Sequence, residues 1–232
     1  MSENNVGVVL AQGAWADGSS WNKVIAGLAS EEVKAIAAPL PLTSLADDIT
    51  ALDRTLELVD GPVVLVGHAY AGAVIASTNA DKVAALVYIA ALAPEQGETV
   101  ADVFYRAEPH PQAPRIVPDR HELIWLPEDA FADAFTQNAS GQEQAQLAAT
   151  QRPLAAAAIK VAVGRPAWKD RPSWFLVTEE DRLIPLDTQR FMARRMKARV
   201  RTAPVDHLPM LTAPGAVVDI VMEAVREVGS ER

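Results

Sequence analysis

His207 and Asp181 are the side chains whose types and order in the sequence most directly suggest catalytic chemistry. A histidine titrates near neutral pH, so it can accept a proton from a nucleophile and return it to a leaving group. A carboxylate on its other ring nitrogen fixes the tautomer of the histidine and stabilises its charged form. Glu179 and Glu180 are weaker candidates for that carboxylate. The remaining histidines of the chain are His68, His110 and His121.

A short motif of small residues, Gly-His-Ala-Tyr-Ala-Gly at positions 67–72, separates an apolar strand pattern from a helical one. That context is typical of a nucleophile elbow, Gly-x-Ser-x-Gly, whose sharp turn needs small flanking residues because strand and helix approach closely. The central position is Ala69, which has no nucleophilic atom. The elbow, Asp181 and His207 follow the order nucleophile, acid, histidine that is expected with such an elbow. We therefore predict a catalytic-triad frame whose nucleophile position is occupied by Ala69.

Two backbone amides are expected to complete the site as an oxyanion hole, which stabilises the negative charge that develops on a carbonyl oxygen. One donor is the N–H after the nucleophile position, here Tyr70, and the second comes from the loop after the first strand. We assign Ala14 as that second donor. The side chains of Trp15, Tyr70 and Trp125 are the predicted substrate-binding groups of a largely apolar pocket.

The elements that position these residues alternate between short apolar runs and helical patterns, which predicts a mostly parallel sheet with helices on both faces. The run Val-Val-Leu-Val at 63–66 is typical of a central parallel strand. Ser44 is the expected N-cap of an amphipathic helix over 45–59. The predicted strands are 6–11, 33–37, 63–66, 83–90, 174–178 and 200–203, and the other main predicted helices are 21–28, 71–78 and 217–228.

The segment 95–165 interrupts this alternation with several prolines and short helical pieces. A long insertion after a strand of such a sheet usually builds a cap over the site. We therefore predict a core formed by residues 1–94 and 166–232 and a small helical cap formed by 95–165. The aromatic residues of the cap either line a substrate pocket or pack the cap against the core; they are Phe104, Tyr105, Trp125, Phe131 and Phe135.

Composition limits the classes of partner. The chain has 232 residues, of which 50% are hydrophobic, and its net charge of −9 gives no support to nucleic-acid or anionic-membrane binding. Cysteine is absent, which excludes disulfides and thiolate sites, and neither a metal-ligand spacing nor a nucleotide-binding glycine motif is present. We expect no metal and no cofactor, a small-molecule substrate and a cytoplasmic location. The oligomeric state is open, a homodimer being one option.

Several segments resemble bacterial α/β-hydrolases of the esterase branch that includes plant methylesterases and hydroxynitrile lyases. The resemblance implies the α/β-hydrolase fold, with position 69 as nucleophile, Asp181 as acid, His207 as base, and the Ala14 and Tyr70 amides as oxyanion donors. Besides Ala69, one departure is Gln12, where this family usually has histidine. The segments that carry the resemblance are 8–15, 18–21, 67–75, 149–154, 166–169, 172–174 and 191–193.

The alanine at position 69 allows two interpretations. In the first, the chain is a serine hydrolase for an ester, lactone or related small carbonyl compound, inactivated by a serine-to-alanine replacement. In the second, it is a natural protein without a nucleophile, which binds a ligand or uses His207 and Asp181 as a base in a lyase, cyclase or cofactor-free oxygenase. We favour the first because the rest of the apparatus is retained, although Gln12 mildly favours the second. A purely structural role leaves the placement of Asp181 and His207 unexplained.

Overall fold

The protein, seen in a computed structural model that describes residues 6–230, is built around a six-stranded sheet. The strands of the described residues, including two that lie outside this sheet, are β1 (Gly7–Ala11), β2 (Ala35–Ala38), β3 (Val63–His68), β4 (Val83–Ile89), β5 (Leu123–Ile124), β6 (Leu154–Ala155), β7 (Ser173–Thr178) and β8 (Arg199–Ala203). The main sheet has the order β2-β1-β3-β4-β7-β8, and all neighbouring strands in it are parallel. The strands β5 and β6 form a separate antiparallel pair.

Helices surround this sheet. They are α1 (Asn22–Ser30), α2 (Leu45–Glu57), α3 (Ala71–Ala76), α4 (Val100–Phe104), α5 (Glu128–Ala130), α6 (Gly141–Thr150), α7 (Leu186–Arg195), α8 (Pro209–Thr212) and α9 (Pro214–Ser230). The helices α1 and α9 contact each other, and α9 also contacts β3, β4 and β7. A second group, α2 and α3, packs together and against the sheet, and α7 packs on β7. The predicted fold, a parallel sheet covered by helices on both faces, is confirmed.

The central strands are buried along their whole length because helices cover the sheet. Every residue of β1 and of β3 is buried, which explains why these strands are continuously apolar rather than alternating. Parallel pairing brings the carboxyl ends of β1, β3 and β7 to the same edge of the sheet. The loops that follow these strands carry Ala14, Ala69, Tyr70 and Asp181, and His207 follows the parallel neighbour of β7, β8. This edge is where open α/β sheets build their sites.

Local sequence signals explain where several elements begin. The Ser44 hydroxyl accepts a hydrogen bond from the Asp47 amide at 3.0 Å, so it caps α2 as predicted. The strand β2 begins at Ala35 rather than at the predicted residue 33. The reason is that the Val33 amide donates to the Leu28 carbonyl at 2.9 Å and thereby closes the C-terminal turn of α1. The predicted apolar stripe of α9 is buried; it consists of Val217, Ile220, Val221, Ala224, Val225 and Val228.

The predicted cap segment, 95–165, contains the helices α4, α5 and α6, a π-helical turn over Phe131–Phe135, and the two short strands β5 and β6. It is joined to the core by a hydrogen bond from the Ala155 amide to the Leu42 carbonyl, 2.9 Å long. The division of the chain at residues 94 and 166 stays a prediction. Over residues 6–230, no helix combines the length and the apolar character that crossing a bilayer requires.

Candidate active site

The turn between β3 and α3 has the backbone of a nucleophile elbow. Ala69, its central residue, has a φ of +48°, a left-handed conformation that is strained for a residue with a Cβ. The turn is also tightly enclosed: a Cβ built on Gly72 would lie 2.4 Å from the Leu92 carbonyl oxygen, and one on Gly67 2.9 Å from the Ala71 carbonyl oxygen. The small residues of this motif are therefore required by close backbone contacts, independently of which side chain occupies position 69.

His207 and Asp181 form a buried hydrogen-bonded pair. The His207 Nδ1 lies 2.8 Å from the Asp181 Oδ2, and the two side chains are 2% and 0% exposed. This bond leaves Nε2 as the ring nitrogen free for proton transfer; within residues 6–230 it has no hydrogen-bond partner. A base oriented by a carboxylate through its other nitrogen is the arrangement that proton shuttling in acyl transfer needs.

The Asp181 carboxylate is held by donors from its own loop and from the neighbouring helix. Its Oδ1 accepts hydrogen bonds from the Leu183 and Ile184 amides at 2.8 and 2.9 Å. Its Oδ2 accepts from the Thr178 hydroxyl and the Gln189 amide group, both at 3.1 Å. Buried charge is tolerated only when such partners replace water, so these bonds explain how an ionised carboxylate can lie against His207.

The competing acids lie elsewhere. Glu179 is exposed and lies 3.6 Å from Arg190 in an ion pair. Glu180 is also exposed, and its carboxylate accepts a hydrogen bond from the Asn138 side chain at 3.0 Å. Of the three acidic residues that follow β7, the structure therefore brings Asp181 alone to His207.

The two amides predicted for the oxyanion hole have no acceptor in the described part of the chain. The Ala14 and Tyr70 amides form no hydrogen bond within residues 6–230, whereas the neighbouring Trp15 amide donates to the Arg152 carbonyl at 3.0 Å. Both Ala14 and Tyr70 line the same pocket as Ala69. Free amides at a pocket wall are what stabilisation of an oxyanion requires.

The side chain of His68 forms a hydrogen bond to the backbone of His207. It is fully buried, and its Nε2 donates to the His207 carbonyl at 2.8 Å. Burial holds the pKa of His68 well below its ordinary value, so the ring is neutral near pH 7. Gln12, the other departure from the family pattern, is also buried, and its amide group lies 3.4 Å from the Leu40 carbonyl.

The pocket above the elbow is almost wholly apolar. The cavity has a volume of about 60 Å³. Apart from two tyrosines, His207 is the one titratable residue that lines it. The loops of the core and the cap both contribute to it. The lining residues are Ala14, Trp15, Ala69, Tyr70, Leu92, Val100, Ala101, Phe104, Tyr105, Ile116, Ile124, Leu154, Ile159, Leu183, Ile184 and His207.

Two of the three predicted substrate-binding side chains reach this pocket, and the third does not. Trp15 and Tyr70 line it, and the Trp15 indole N–H donates to the Ile124 carbonyl at 3.0 Å. Trp125 is a correction to the sequence prediction, because it is 46% exposed and lies outside the lining. Its neighbour Ile124 faces the pocket instead, and successive residues of an extended segment point in opposite directions.

The other cap aromatics divide into two groups. Phe104 and Tyr105 line the pocket. Phe131 and Phe135 are fully buried instead, and the Phe135 ring packs 5.5 Å from the His207 ring and 6.1 Å from that of Trp15. The sequence analysis did not identify the aliphatic lining of the cap, Ile116, Leu154 and Ile159. They lie in a proline-rich segment and at the two ends of an alanine run, and neither context indicates which side chains face a pocket.

No group of three or more histidine, aspartate or glutamate side chains in residues 6–230 is arranged to hold a metal ion. The pocket itself presents the His207 imidazole and the Ala14 and Tyr70 amides, surrounded by a largely apolar wall.

Comparison with known proteins identifies the family of the chain. The sequence profile described as Alpha/beta hydrolase family matches residues 8–220. The chain belongs to the alpha/beta hydrolase family. No curated protein matches this alpha/beta hydrolase closely enough to count as a relative.

Several solved structures are similar to this alpha/beta hydrolase over almost its whole length. Polyneuridine aldehyde esterase is 18% identical, with a TM-score of 0.77, and the match covers 94% of this chain and 98% of that one. A pyrethroid hydrolase from Sphingobium faniae is 19% identical, with a TM-score of 0.80 and coverages of 95% and 98%. A methylesterase from Arabidopsis is 16% identical, with a TM-score of 0.78 and coverages of 95% and 99%. At such identities the likeness establishes the shared fold.

Proposed function

We propose that this site is that of a serine-type carboxylic ester hydrolase in which Ala69 occupies the position of the nucleophile. The observation that carries the proposal is the pairing of His207 with Asp181 beside an elbow whose central residue keeps the left-handed backbone of a nucleophile. The names of three similar structures, an esterase, a hydrolase and a methylesterase, support the same reaction class. As it stands, the chain holds the apparatus for acyl transfer but lacks the attacking atom.

With serine at position 69, the reaction would take two steps. The hydroxyl oxygen would attack the ester carbonyl carbon while His207 Nε2 takes its proton, and the Ala14 and Tyr70 amides would stabilise the oxyanion. Collapse would break the bond to the alcohol, which leaves with the proton from His207. Water, activated by the same nitrogen, would then hydrolyse the acyl-serine and release the acid.

The pocket favours an uncharged substrate. No Asp, Glu, Lys or Arg side chain lines it, so a charged group on either side of the ester would be buried without a partner. We therefore propose a small ester or lactone with apolar acyl and alcohol groups as the substrate, with no cofactor. A cytoplasmic location stays part of the proposal.

The test is to restore the missing atom. The Ala69→Ser variant and the unaltered chain would be assayed side by side with p-nitrophenyl acetate and butyrate. We expect hydrolysis by Ala69→Ser at a rate at least ~10³-fold above that of the unaltered chain, because a residual acceleration from binding and the oxyanion hole is all that survives without the nucleophile. A fluorophosphonate probe should add covalently to Ala69→Ser and leave the unaltered chain unmodified, as read by intact mass.

The matched control is Ala69→Ser combined with His207→Ala, which keeps the hydroxyl but removes the base. Hydrolysis by Ala69→Ser that disappears in this double variant supports the proposal. A folded Ala69→Ser protein that is inert towards a broad panel of esters and lactones, and towards the probe, contradicts it.

A further inference from the structure

The side chain of Tyr70 makes a buried contact that the acyl-transfer chemistry does not itself require. Its hydroxyl donates to the Asp48 Oδ2 at 2.7 Å, and Asp48 is fully buried within α2. Because Tyr70 directly follows position 69, this bond anchors the residue whose amide is the proposed oxyanion donor. It joins the elbow to a helix that carries none of the triad positions.

The second oxygen of Asp48 holds a strained part of the neighbouring loop. The Asp48 Oδ1 accepts from the Leu42 amide at 2.7 Å, and Leu42 is a buried residue with a φ of +63°. The Leu42 carbonyl in turn accepts from the Ala155 amide of the predicted cap at 2.9 Å. One carboxylate thus connects the elbow, through two hydrogen bonds, to a loop that is itself bonded to the cap.

The other oxyanion donor is attached to the same network. Ala14 precedes Trp15, whose amide donates to the Arg152 carbonyl at 3.0 Å. The Arg152 guanidinium lies 3.5 Å from the Pro41 carbonyl, and Pro41 directly precedes Leu42. The loop that carries Ala14 is therefore linked, through Arg152, to the segment of Pro41 and Leu42, and Asp48 binds the Leu42 amide.

We propose that Asp48 is a positioning residue of the oxyanion hole, which fixes the Tyr70 amide through the Tyr70 hydroxyl and links it to the predicted cap through Leu42. Asp48 lies outside the pocket and does not touch a substrate bound there. Its effect is on the geometry of the donor, and a displaced donor loses more stabilisation of the transition state than of the bound substrate. The proposal rests on the proposed esterase function for its kinetic readout.

The principal test introduces Tyr70→Phe into the Ala69→Ser protein. This change keeps the ring and removes only the bond to Asp48. We expect kcat to fall about tenfold with KM changed by less than about twofold, since complete loss of an oxyanion donor typically costs 10²–10³-fold in kcat. Asp48→Asn should act in the same direction. The double variant, Asp48→Asn with Tyr70→Phe, should lose no more activity than the worse single variant, because the two residues act through one bond.

The matched control is Thr78→Val, which removes a 2.7 Å hydrogen bond from the Thr78 hydroxyl to Asp53 in the same helix, α2. This bond also joins α2 to the end of α3, but it lies away from the pocket. Thr78→Val should lower thermal stability and leave kcat unchanged. An unchanged kcat in Tyr70→Phe, or an equal loss in Thr78→Val, overturns the positioning role.

A second measurement keeps the inference testable if Ala69→Ser is inert and the esterase proposal fails. In the unaltered chain, Asp48→Asn should shift the amide NMR signals of Tyr70 and Ala14, whereas Thr78→Val should leave both signals unchanged. Unaltered Tyr70 and Ala14 signals in a folded Asp48→Asn protein overturn the proposal, whatever the outcome of the activity assays.

Discussion

The glycines of the elbow and those of the cap differ in the space around them. A Cβ on Gly72 would lie 2.4 Å from a backbone oxygen, and one on Gly67 2.9 Å from another. At Gly141 and Gly164, in the cap segment, no atom lies within 4 Å of such a Cβ. The backbone of the elbow is therefore fixed by contacts with other backbone, which cannot move aside as a flexible side chain can. The cap does not have this constraint at its glycines.

The carboxylates of the sheet-end loops and of the predicted cap also differ in their surroundings. Asp181 is buried and is held by four donors besides His207, from its own loop and from α7. Glu143, in the capping box of α6, lies at the surface, and hydrogen bonds led by the Ser140 amide lower its pKa to about 2. The sheet-end loops fix reacting groups with buried hydrogen bonds, whereas the cap mainly supplies apolar surface. We therefore expect substitutions in the sheet-end loops to change kcat or the free energy of unfolding, and substitutions of the cap lining to change kcat/KM.

Asp181→Asn, made in the Ala69→Ser protein, should give the largest effect. An asparagine can donate to His207 Nδ1 and so favours the wrong tautomer, which we expect to lower kcat by about 10⁴-fold. The expected fold is unchanged, because the asparagine side chain has the same shape. Steady-state kinetics and circular dichroism measure the two quantities. Retention of more than about a tenth of the activity would show that His207 does not depend on this carboxylate.

Gly72→Ala should break the elbow, while Gly141→Ala leaves the cap intact. The new methyl at position 72 meets the Leu92 carbonyl and the Ala91 side chain, and we expect the free energy of unfolding to fall by about 2–3 kcal/mol. At position 141, the first residue of α6, alanine is expected to raise it by about 0.5 kcal/mol. Urea denaturation of both variants measures the difference. Equal effects at the two sites would contradict the contrast between the regions.

Much of the core could be predicted from sequence because its signals are local. Apolar runs mark buried parallel strands, and the elbow's small residues mark a close approach that any strand-to-helix turn of this kind imposes. The boundary of β2 was less predictable: whether Val33 joins the strand depends on a hydrogen bond to Leu28 that closes the preceding helix. Such competition between two elements for one amide leaves no trace in hydrophobic periodicity.

The cap side of the pocket was harder to predict, because it depends on tertiary placement. Which of Ile124 and Trp125 faces the pocket depends on how β5, a strand of two residues, pairs with β6. A shift of this pairing by one residue would exchange the directions of their side chains. Trp125 was a predicted binding group of an apolar pocket, but Ile124, which pairs with β6, lines the pocket instead. The Asp48–Tyr70 hydrogen bond could not be predicted from the sequence for a related reason, because its partners are 22 positions apart and lie on different elements.

The buried His68 should give the stability of the core a pH dependence. Burial lowers the pKa of His68 well below 6.5, so below that pH the unfolded chain binds a proton that the folded chain does not. The free energy of unfolding should therefore decrease as the pH falls below 6.5, by up to about 1.4 kcal/mol per pH unit from this group. His68→Gln should reduce that slope, measured by urea denaturation between pH 7 and 5. An unchanged slope in a folded His68→Gln protein would contradict this assignment.

The smallest expected effect separates the two sides of the cap. In the Ala69→Ser protein, Phe104→Ala removes part of the apolar lining, and we expect a loss of about 1 kcal/mol, roughly fivefold in kcat/KM for p-nitrophenyl butyrate. Trp125→Ala removes a larger side chain, but one that is 46% exposed and outside the lining, so kcat/KM should stay unchanged. The loss at Phe104 should shrink with p-nitrophenyl acetate, whose shorter acyl chain makes fewer contacts. If Trp125→Ala proved the more damaging change, the register of β5 in the substrate-bound protein would have to differ from the one described here.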